Sequence, residues 1–155
     1  MTTTIDRRLF LGGASAAALT LAAPARAAAT AMTVTKSPTC GCCSAWAEIA
    51  AREGYDVRPV DVDDITEIKL RLGVPEDLWG CHTAEVDGYV VEGHVPFEAV
   101  ARLLSERPDV VGIAAPGMPM GSPGMGYDPS ARYDVFAFGG EAGDAAIYHR
   151  AGVPS

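Results

Sequence analysis

The chain has 155 residues, with 12 Lys and Arg against 20 Asp and Glu and a formal net charge of -8. This length suits one domain with an export signal, and 48% hydrophobic residues are enough for a buried core, which excludes wholesale disorder. The acidic balance argues against nucleic acids and anionic membrane surfaces as partners, since both attract a clustered excess of Lys and Arg.

Residues 1–27 are predicted to be an export signal rather than part of the folded domain. Two arginines precede Leu-Phe-Leu at residues 9–11, an Ala-rich apolar stretch follows, and a small-residue cleavage site ends at Ala27. The paired arginines resemble a twin-arginine signal, with an ordinary Sec signal as the alternative. The apolar run is shorter than the ~20 residues that cross a bilayer. We therefore expect one periplasmic domain at residues 28–155, without stable membrane insertion.

The hydrophobic pattern of the domain predicts alternating strands and helices. In chain order we expect a strand at 32–36, a helix at 40–52, a strand at 55–62, a helix at 65–72, a hairpin of 81–86 and 89–92, and a helix from Pro96. This β-α-β-α-β-β-α order places a Cys-x-x-Cys pair between the first strand and the first helix, which predicts a thioredoxin-like α/β fold. The hairpin entrance usually holds a cis-proline in such folds, but here it reads Gly-Cys-His-Thr at residues 80–83.

The remainder of the chain is predicted to form a loop and a final hairpin. Eight of the fifteen residues at 112–126 are Gly or Pro, so no regular element is expected there. This stretch also contains three methionines, Met118, Met120 and Met125. Alternating residues at 133–138 and 145–149 then predict a C-terminal β-hairpin around two glycines.

Three cysteines in four positions are the sharpest chemical feature of the sequence. Cys40, Cys42 and Cys43 lie at the predicted start of the first helix, where unpaired N–H groups and the helix dipole stabilise a thiolate. Cys40 and Cys43 have the spacing of a redox pair, whereas Cys42 is an extra thiol that disulfide exchange does not need. The alternative interpretation is a structural disulfide with one buried free cysteine.

The fourth cysteine, Cys81, is expected to face this cluster across the predicted fold. Four thiolates can bind Zn²⁺ but also suit Cu(I), which prefers soft ligands, and the spacing does not match a zinc ribbon. Pairing of Cys81 with Cys42 in a structural bridge is the alternative. His82 adjoins Cys81 and is expected to point to the opposite face of its strand.

Other candidate ligands lie in the later part of the chain. The thioethers of Met118, Met120 and Met125 are soft and neutral and favour Cu(I) over Zn²⁺, although methionines also fill gaps against a core. His94 lies between a predicted strand and a predicted helix, where an outer-ligand role and a structural role are both open. His149, in the final hairpin, is expected to be structural.

Four motifs follow one another along the domain. They are Thr-Cys-Gly-Cys-Cys at 39–43, Trp-Gly-Cys-His-Thr at 79–83, Val-Glu-Gly-His-Val-Pro at 91–96, and Ala-Pro-Gly-Met-Pro-Met-Gly-Ser-Pro-Gly-Met at 115–125. Together they resemble the CopG-like family of periplasmic copper-resistance proteins. The resemblance implies a thioredoxin-like fold and a copper site with four thiol ligands, Cys40, Cys42, Cys43 and Cys81. Further ligands are then expected at His94, Met118, Met120 and Met125.

Three functional hypotheses follow from these residues. The first is a periplasmic copper-binding protein of copper resistance, whose partners are copper ions and other copper-handling proteins, with Cu(I)/Cu(II) or thiol redox activity as an extension. The second is a thiol-disulfide oxidoreductase with Cys40 as nucleophile and Cys43 as resolving thiol. The third is a small disulfide-stapled interaction domain that binds no metal.

Overall fold

The computed structural model describes residues 28–152, and the predicted export signal at residues 1–27 lies outside the described residues. The described part contains seven strands: β1 (Ala31–Lys36), β2 (Asp56–Asp61), β3 (His82–Val86), β4 (Tyr89–Gly93), β5 (Gly112–Ala115), β6 (Tyr133–Phe138) and β7 (Ala146–Ala151). Its three α-helices are α1 (Gly41–Arg52), α2 (Thr66–Arg71) and α3 (Phe97–Glu106). Within residues 28–152, no helix has both the length and the apolar character needed to cross a membrane.

All seven strands belong to one mixed sheet, in the order β2-β1-β3-β4-β5-β6-β7. The strand β1 is parallel to β2 and antiparallel to β3, which forms the predicted hairpin with β4. Pro59 lies in β2, which is an edge strand, and this agrees with the inability of proline to donate a ladder hydrogen bond. The strand-helix order predicted up to α3 is therefore observed as a mixed α/β arrangement.

The two faces of the sheet pack against different parts of the chain. One face packs against α1 and α3, whose core side chains recur every three or four residues, among them Trp46, Ala50, Val100 and Leu103. The other face carries a smaller apolar cluster that includes Val90 of β4 and Leu78, which follows α2. The side chains of neighbouring residues in β4 thus point to opposite faces of the sheet, as the pleat of a strand requires.

One expectation about secondary structure is wrong. The stretch 112–126 was predicted to contain no regular element, yet its first four residues form β5, which is fully buried between β4 and β6. Gly112 permits this pairing because a Cβ at that position would lie only 2.1 Å from the carbonyl oxygen of Val90. The first glycine of the stretch therefore reflects close backbone packing, and irregular structure begins only after Ala115.

Candidate metal centre

The four cysteines converge at one end of the sheet, although 38 residues separate Cys43 from Cys81. Cys40 precedes α1, Cys42 and Cys43 lie in its first turn, and Cys81 directly precedes β3. The sulfur atoms of all four lie within 4.8 Å of one another. Cys43 is fully buried, whereas the other three are half-buried. The cluster is therefore closed towards the core and accessible from the surface.

The sulfurs occur in two chemical states. Cys40 and Cys43 form a disulfide, while Cys42 and Cys81 are free thiols. The Cys42 sulfur lies 3.5 Å from that of Cys40 and 3.8 Å from that of Cys81. The alternative bridge between Cys42 and Cys81 is therefore not formed. Disulfide sulfurs are not thiolate ligands, so binding of a metal by all four cysteines requires reduction of the Cys40–Cys43 bond.

The start of α1 places two of these cysteines in the field of the helix. Cys40 is the N-cap residue and its side chain makes no capping hydrogen bond to the helix. No acidic residue lies in the first turn. Free N–H groups and the positive end of the helix dipole therefore lie next to this group of sulfurs.

His94 contacts the cluster through one ring nitrogen, and a backbone carbonyl fixes its orientation. Its Nδ1 lies 2.6 Å from the Pro123 carbonyl oxygen, which can only accept, so Nδ1 carries the proton. Its Nε2 is then the acceptor, 2.9 Å from the Cys81 sulfur, and the Cys81 thiol donates to it. A histidine held by an N–H···O=C bond with its second nitrogen towards a thiol has the arrangement typical of metal-ligating histidines. The structure thus places His94 at the cluster.

His82 also lies at the cluster, contrary to the expectation that it faces away. Its Nδ1 is 3.6 Å from the Cys81 sulfur, and its ring packs edge-on against His94 and tilted against Trp46. The expectation failed because Cys81 precedes β3, so strand alternation does not apply between these two residues. His82 is fully buried, and its Nε2 has no hydrogen-bond partner within residues 28–152. Cys81, His82 and His94 therefore form a second donor group that overlaps the first at Cys81.

Burial keeps these groups uncharged in the metal-free protein. It raises the pKa of the Cys81 thiol to about 12, with a further contribution from the neighbouring Cys42. It lowers the pKa of His82 to about 3, with His94 and Lys69 acting in the same direction. The pKa of His94 is also lowered by burial, against the effect of its bond to Pro123. At neutral pH the Cys81 thiol is protonated and both imidazoles are neutral ligands, so metal binding releases protons.

The Gly/Pro/Met-rich loop covers one side of the cluster with its backbone. A Cβ on Gly124 would lie 2.8 Å from the carbonyl oxygen of Cys42, so this glycine permits a close approach. The methionines are less closely associated with the sulfurs. Met118 and Met120 are 56% and 64% exposed, and Met125 is half-buried directly after Gly124. The loop therefore contacts the site, while two of its three thioethers face solvent.

The donor set fits a soft metal ion. Four sulfurs and two imidazole nitrogens are available, without a carboxylate in either donor group. Thiolates and imidazoles suit Cu(I) and Zn²⁺, whereas hard cations such as Ca²⁺ and Mg²⁺ require oxygen ligands. Among residues 28–152, the acidic side chains thus contribute no donor atom to the cluster.

Sequence reasoning missed a buried polar group behind the cysteines. Lys69, Thr83 and Glu92 are at most 2% exposed and bond to one another. Glu92 was detectable, because it interrupts the apolar run Tyr-Val-Val-Glu at 89–92. Lys69 was not, since a lysine in Thr-Glu-Ile-Lys-Leu-Arg is typical of an exposed helix face. The pairing of the two depends on the fold.

Comparisons with known proteins agree with this site. A family model described as "Protein of unknown function, DUF411" matches residues 78–125. A solved structure titled "Copper resistance protein copG- Form 2" is 38% identical with a TM-score of 0.72, covering 79% of this chain and 98% of its own. A second, "Copper resistance protein copG- Form 1", is 39% identical with a TM-score of 0.71, covering 77% and 95%. A comparison with curated proteins returned no match.

These relatives and the cysteine cluster together fit a role in copper handling. The identity extends over nearly the whole of both solved chains, which makes a shared fold the common explanation. The chain belongs to the CopG-like family of copper-resistance proteins.

Proposed function

We propose that this protein binds copper in the periplasm as part of copper resistance, through the thiolates of Cys40, Cys42, Cys43 and Cys81. The observation that carries the proposal is the convergence of all four sulfurs within 4.8 Å of one another. The two related solved structures are copper-resistance proteins by title, which supports copper as the metal. Copper is here the cargo of the protein.

The ligand chemistry favours Cu(I) as the bound form. Thiolates are soft donors and stabilise Cu(I), and His94 adds a neutral nitrogen whose orientation the Pro123 carbonyl sets. The soft character of the site also allows a redox extension. Two Cu(II) ions can take two electrons from two cysteine thiols, which yields two Cu(I) ions, one disulfide and two protons. The Cys40–Cys43 disulfide is the product that such a reaction would leave.

Met118, Met120 and Met125 are proposed as outer thioether donors. Exposure of Met118 and Met120 supports capture of Cu(I) arriving from solvent rather than retention in the cluster. Replacement of both by leucine keeps their size and removes the sulfur. We expect the rate of Cu(I) transfer from a chelator to fall, with little change in equilibrium affinity. Equal transfer rates for the variant and the parent protein would show that Met118 and Met120 do not take part in copper capture.

A thioredoxin-like architecture is proposed for the part of the chain that holds the site. It is supported by the strand order β2-β1-β3-β4, by the mixed strand directions and by the Cys-x-x-Cys pair at the start of α1. Delivery to the periplasm by a twin-arginine signal at residues 1–27 is proposed from the sequence pattern. Cleavage after Ala27 in exported protein, read by N-terminal sequencing, is the expected result, and an intact N-terminus would contradict it.

A thiol-disulfide oxidoreductase is the second candidate, favoured by the Cys40–Cys43 disulfide at a helix N-terminus. In this reaction the Cys40 thiolate attacks a substrate disulfide, and Cys43 then displaces the reduced substrate and closes the bridge. Such activity requires Cys40 and Cys43 and is indifferent to Cys42 and Cys81. Insulin-reduction assays on the four single Cys→Ser variants distinguish it from copper binding.

The decisive experiment is an anaerobic titration of the reduced protein with Cu(I) against a competing chelator, with free thiols counted in parallel. We expect tight binding, protection of the thiols in proportion to bound copper, and loss of affinity in Cys42→Ser and Cys81→Ser. Ser44→Ala is the matched control, because Ser44 lies in the same turn of α1 and bonds the Cys40 carbonyl without joining the donor groups. Unchanged copper binding in both cysteine variants would contradict the proposal.

A further inference from the structure

A closed polar network lies directly behind the segment that carries Cys81. Lys69 from α2 donates to Glu92 of β4 and, at 3.0 Å, to the Thr83 hydroxyl of β3. That hydroxyl donates to Glu92 Oε2 at 2.6 Å. Lys69 is 2% exposed, Thr83 is 1% exposed and Glu92 is fully buried. The ion pair is thus enclosed in the interior of the protein.

The network connects to the metal centre through a backbone hydrogen bond. Glu92 Oε1 accepts from the amide N–H of Gly80 at 2.6 Å. Gly80 is the residue before Cys81, and it lies outside the regular ladder of β3. A charge-assisted bond of this length to a buried carboxylate is among the stronger backbone contacts available in a protein. The position of the distal cysteine is therefore set from behind by Glu92.

Close packing of two glycines completes this arrangement. A Cβ on Gly80 would lie only 2.6 Å from the Cα of Gly93, so the two backbones touch. Each glycine is followed by a residue of the cluster, Cys81 in one case and His94 in the other. Glu92, which precedes Gly93, holds Gly80 against it. The 2.9 Å contact between the Cys81 sulfur and His94 Nε2 follows from this backbone arrangement.

We propose that Glu92 is a positioning residue for the copper site, which fixes the Gly80–Cys81 backbone so that Cys81 and His94 meet. The proposal rests on the copper-binding function put forward above and adds a residue that touches no donor atom of either donor group. Lys69 and Thr83 serve to hold the Glu92 carboxylate in one orientation. Without the bond to Gly80, Cys81 leaves the cluster more often, and copper binds to an incomplete site.

Two double variants isolate this hydrogen bond from the effect of the buried charges. Lys69→Met with Glu92→Gln removes both charges and retains an amide oxygen that accepts from Gly80. Lys69→Met with Glu92→Leu also removes both charges and leaves the Gly80 N–H without an acceptor. Far-UV circular dichroism establishes that each variant is folded. Thr83→Val is a milder variant, since it removes one donor to Glu92 and retains the ion pair.

The first readout needs no copper and follows Cys81 directly. In a Cys42→Ser background with the Cys40–Cys43 disulfide closed, Cys81 is the one free thiol of the chain. We expect iodoacetamide to alkylate Cys81 about tenfold faster in the leucine double variant than in the glutamine double variant, and measurably faster in Thr83→Val than in the parent. Equal alkylation rates in both double variants would overturn the positioning role. If the leucine variant does not fold, unchanged alkylation in Thr83→Val overturns it.

The second readout is Cu(I) affinity, measured by chelator competition with Cys42 restored. We expect the leucine double variant to bind about 10–100 times more weakly than the glutamine one, which is the range for residues that orient metal ligands. The near-ultraviolet thiolate-to-Cu(I) absorption is expected to change with it. Faster alkylation with unchanged affinity and absorption would overturn the link to copper. Absence of copper binding in the parent protein would instead contradict the proposed function and leave the alkylation result as evidence on positioning.

Discussion

Two polar clusters lie on either side of the Gly80–Cys81 segment. The interior cluster consists of Lys69, Thr83 and Glu92, and the sulfur cluster consists of the four cysteines with His82 and His94. They differ in how many of their polar atoms have a hydrogen-bond partner. In the interior cluster, Glu92 accepts from Lys69, Thr83 and Gly80, and each side chain has a partner. In the sulfur cluster the thiols make only weak contacts with one another, and His82 Nε2 has no partner in the described part of the chain. Hard charges that cannot reach water require full pairing, whereas soft neutral donors can remain available for a metal ion.

The difference separates a structural role from a binding role. The Lys69–Glu92 ion pair already has its hydrogen-bond partners within the protein, so it is not available to a ligand. Its bonds serve to fix the positions of the backbone. The soft donors of the sulfur cluster have fewer such partners and are stabilised when a metal ion binds, which suits a site that carries copper. The four predictions below test this contrast, from the largest expected effect to the smallest.

Removal of one charge from the interior cluster is expected to have the largest effect on stability. Lys69→Met leaves the Glu92 carboxylate buried without its cation, and we expect the free energy of unfolding to fall by about 3–5 kcal/mol in urea denaturation. Lys36→Met is the matched control, since the partner of Lys36, Asp61, is 55% exposed in its side chain. A loss of at most about 1 kcal/mol is expected there. Similar losses in both variants would show that the enclosed ion pair contributes no more to stability than the ion pair near the surface.

Removal of one thiol from the sulfur cluster is expected to act on binding instead. Cys81→Ser takes away the sulfur that is common to both donor groups, and we expect Cu(I) affinity to fall by more than about 100-fold, beyond the usual range for residues that only orient ligands. The free energy of unfolding of the metal-free protein is expected to change little, because Cys81 is half-buried and a serine hydroxyl can replace its donation to His94 Nε2. A large loss of stability with retained copper binding would reverse the contrast between the two clusters.

The loop over the sulfur cluster offers a test based on two glycines with similar backbones. Gly124 and Gly126 have φ values of 85° and 89°, but only Gly124 has neighbours that an added Cβ would meet. We expect Gly124→Ala to lower the free energy of unfolding by about 1–3 kcal/mol more than Gly126→Ala does, in thermal or urea denaturation. The same substitution should weaken Cu(I) binding, since it displaces the Pro123 carbonyl that orients His94. Equal effects of the two substitutions on stability and on Cu(I) binding would show that the loop does not support the metal centre.

The smallest effect, taken over a change of one pH unit, concerns acid and the metal-free protein. The pKa of His82 is about 3 in the folded state, below its ordinary value of 6.5, because the ring is buried. Between these values the unfolded chain binds a proton that the folded chain does not. The stability present above pH 6.5 is therefore lost as pH falls towards 3, by at most about 1.4 kcal/mol per pH unit from this group. Urea denaturation in the presence of a chelator measures it, and His82→Phe should flatten the profile relative to the parent.

Local sequence patterns were sufficient for most of the fold up to α3. Apolar periodicity indicated α1 and α3, and β-branched residues bounded by turn residues indicated β1 and the β3–β4 hairpin. The strand β5 was missed because its glycine and alanines look like loop residues, and only close packing against Val90 explains them. The cysteine cluster was predictable because its residue types and spacing are rare outside metal or redox sites.

The sequence by itself determined the kinds of donor atoms at the site, the order of the elements that carry them and the family to which the chain belongs. Tertiary structure decided which donors meet. It brought His82 to the cluster, left Met118 and Met120 exposed, and joined Lys69 to Glu92 behind Cys81. Periodicity reports which face of an element is apolar, whereas contacts between distant residues depend on how the elements pack, and no local pattern encodes that packing.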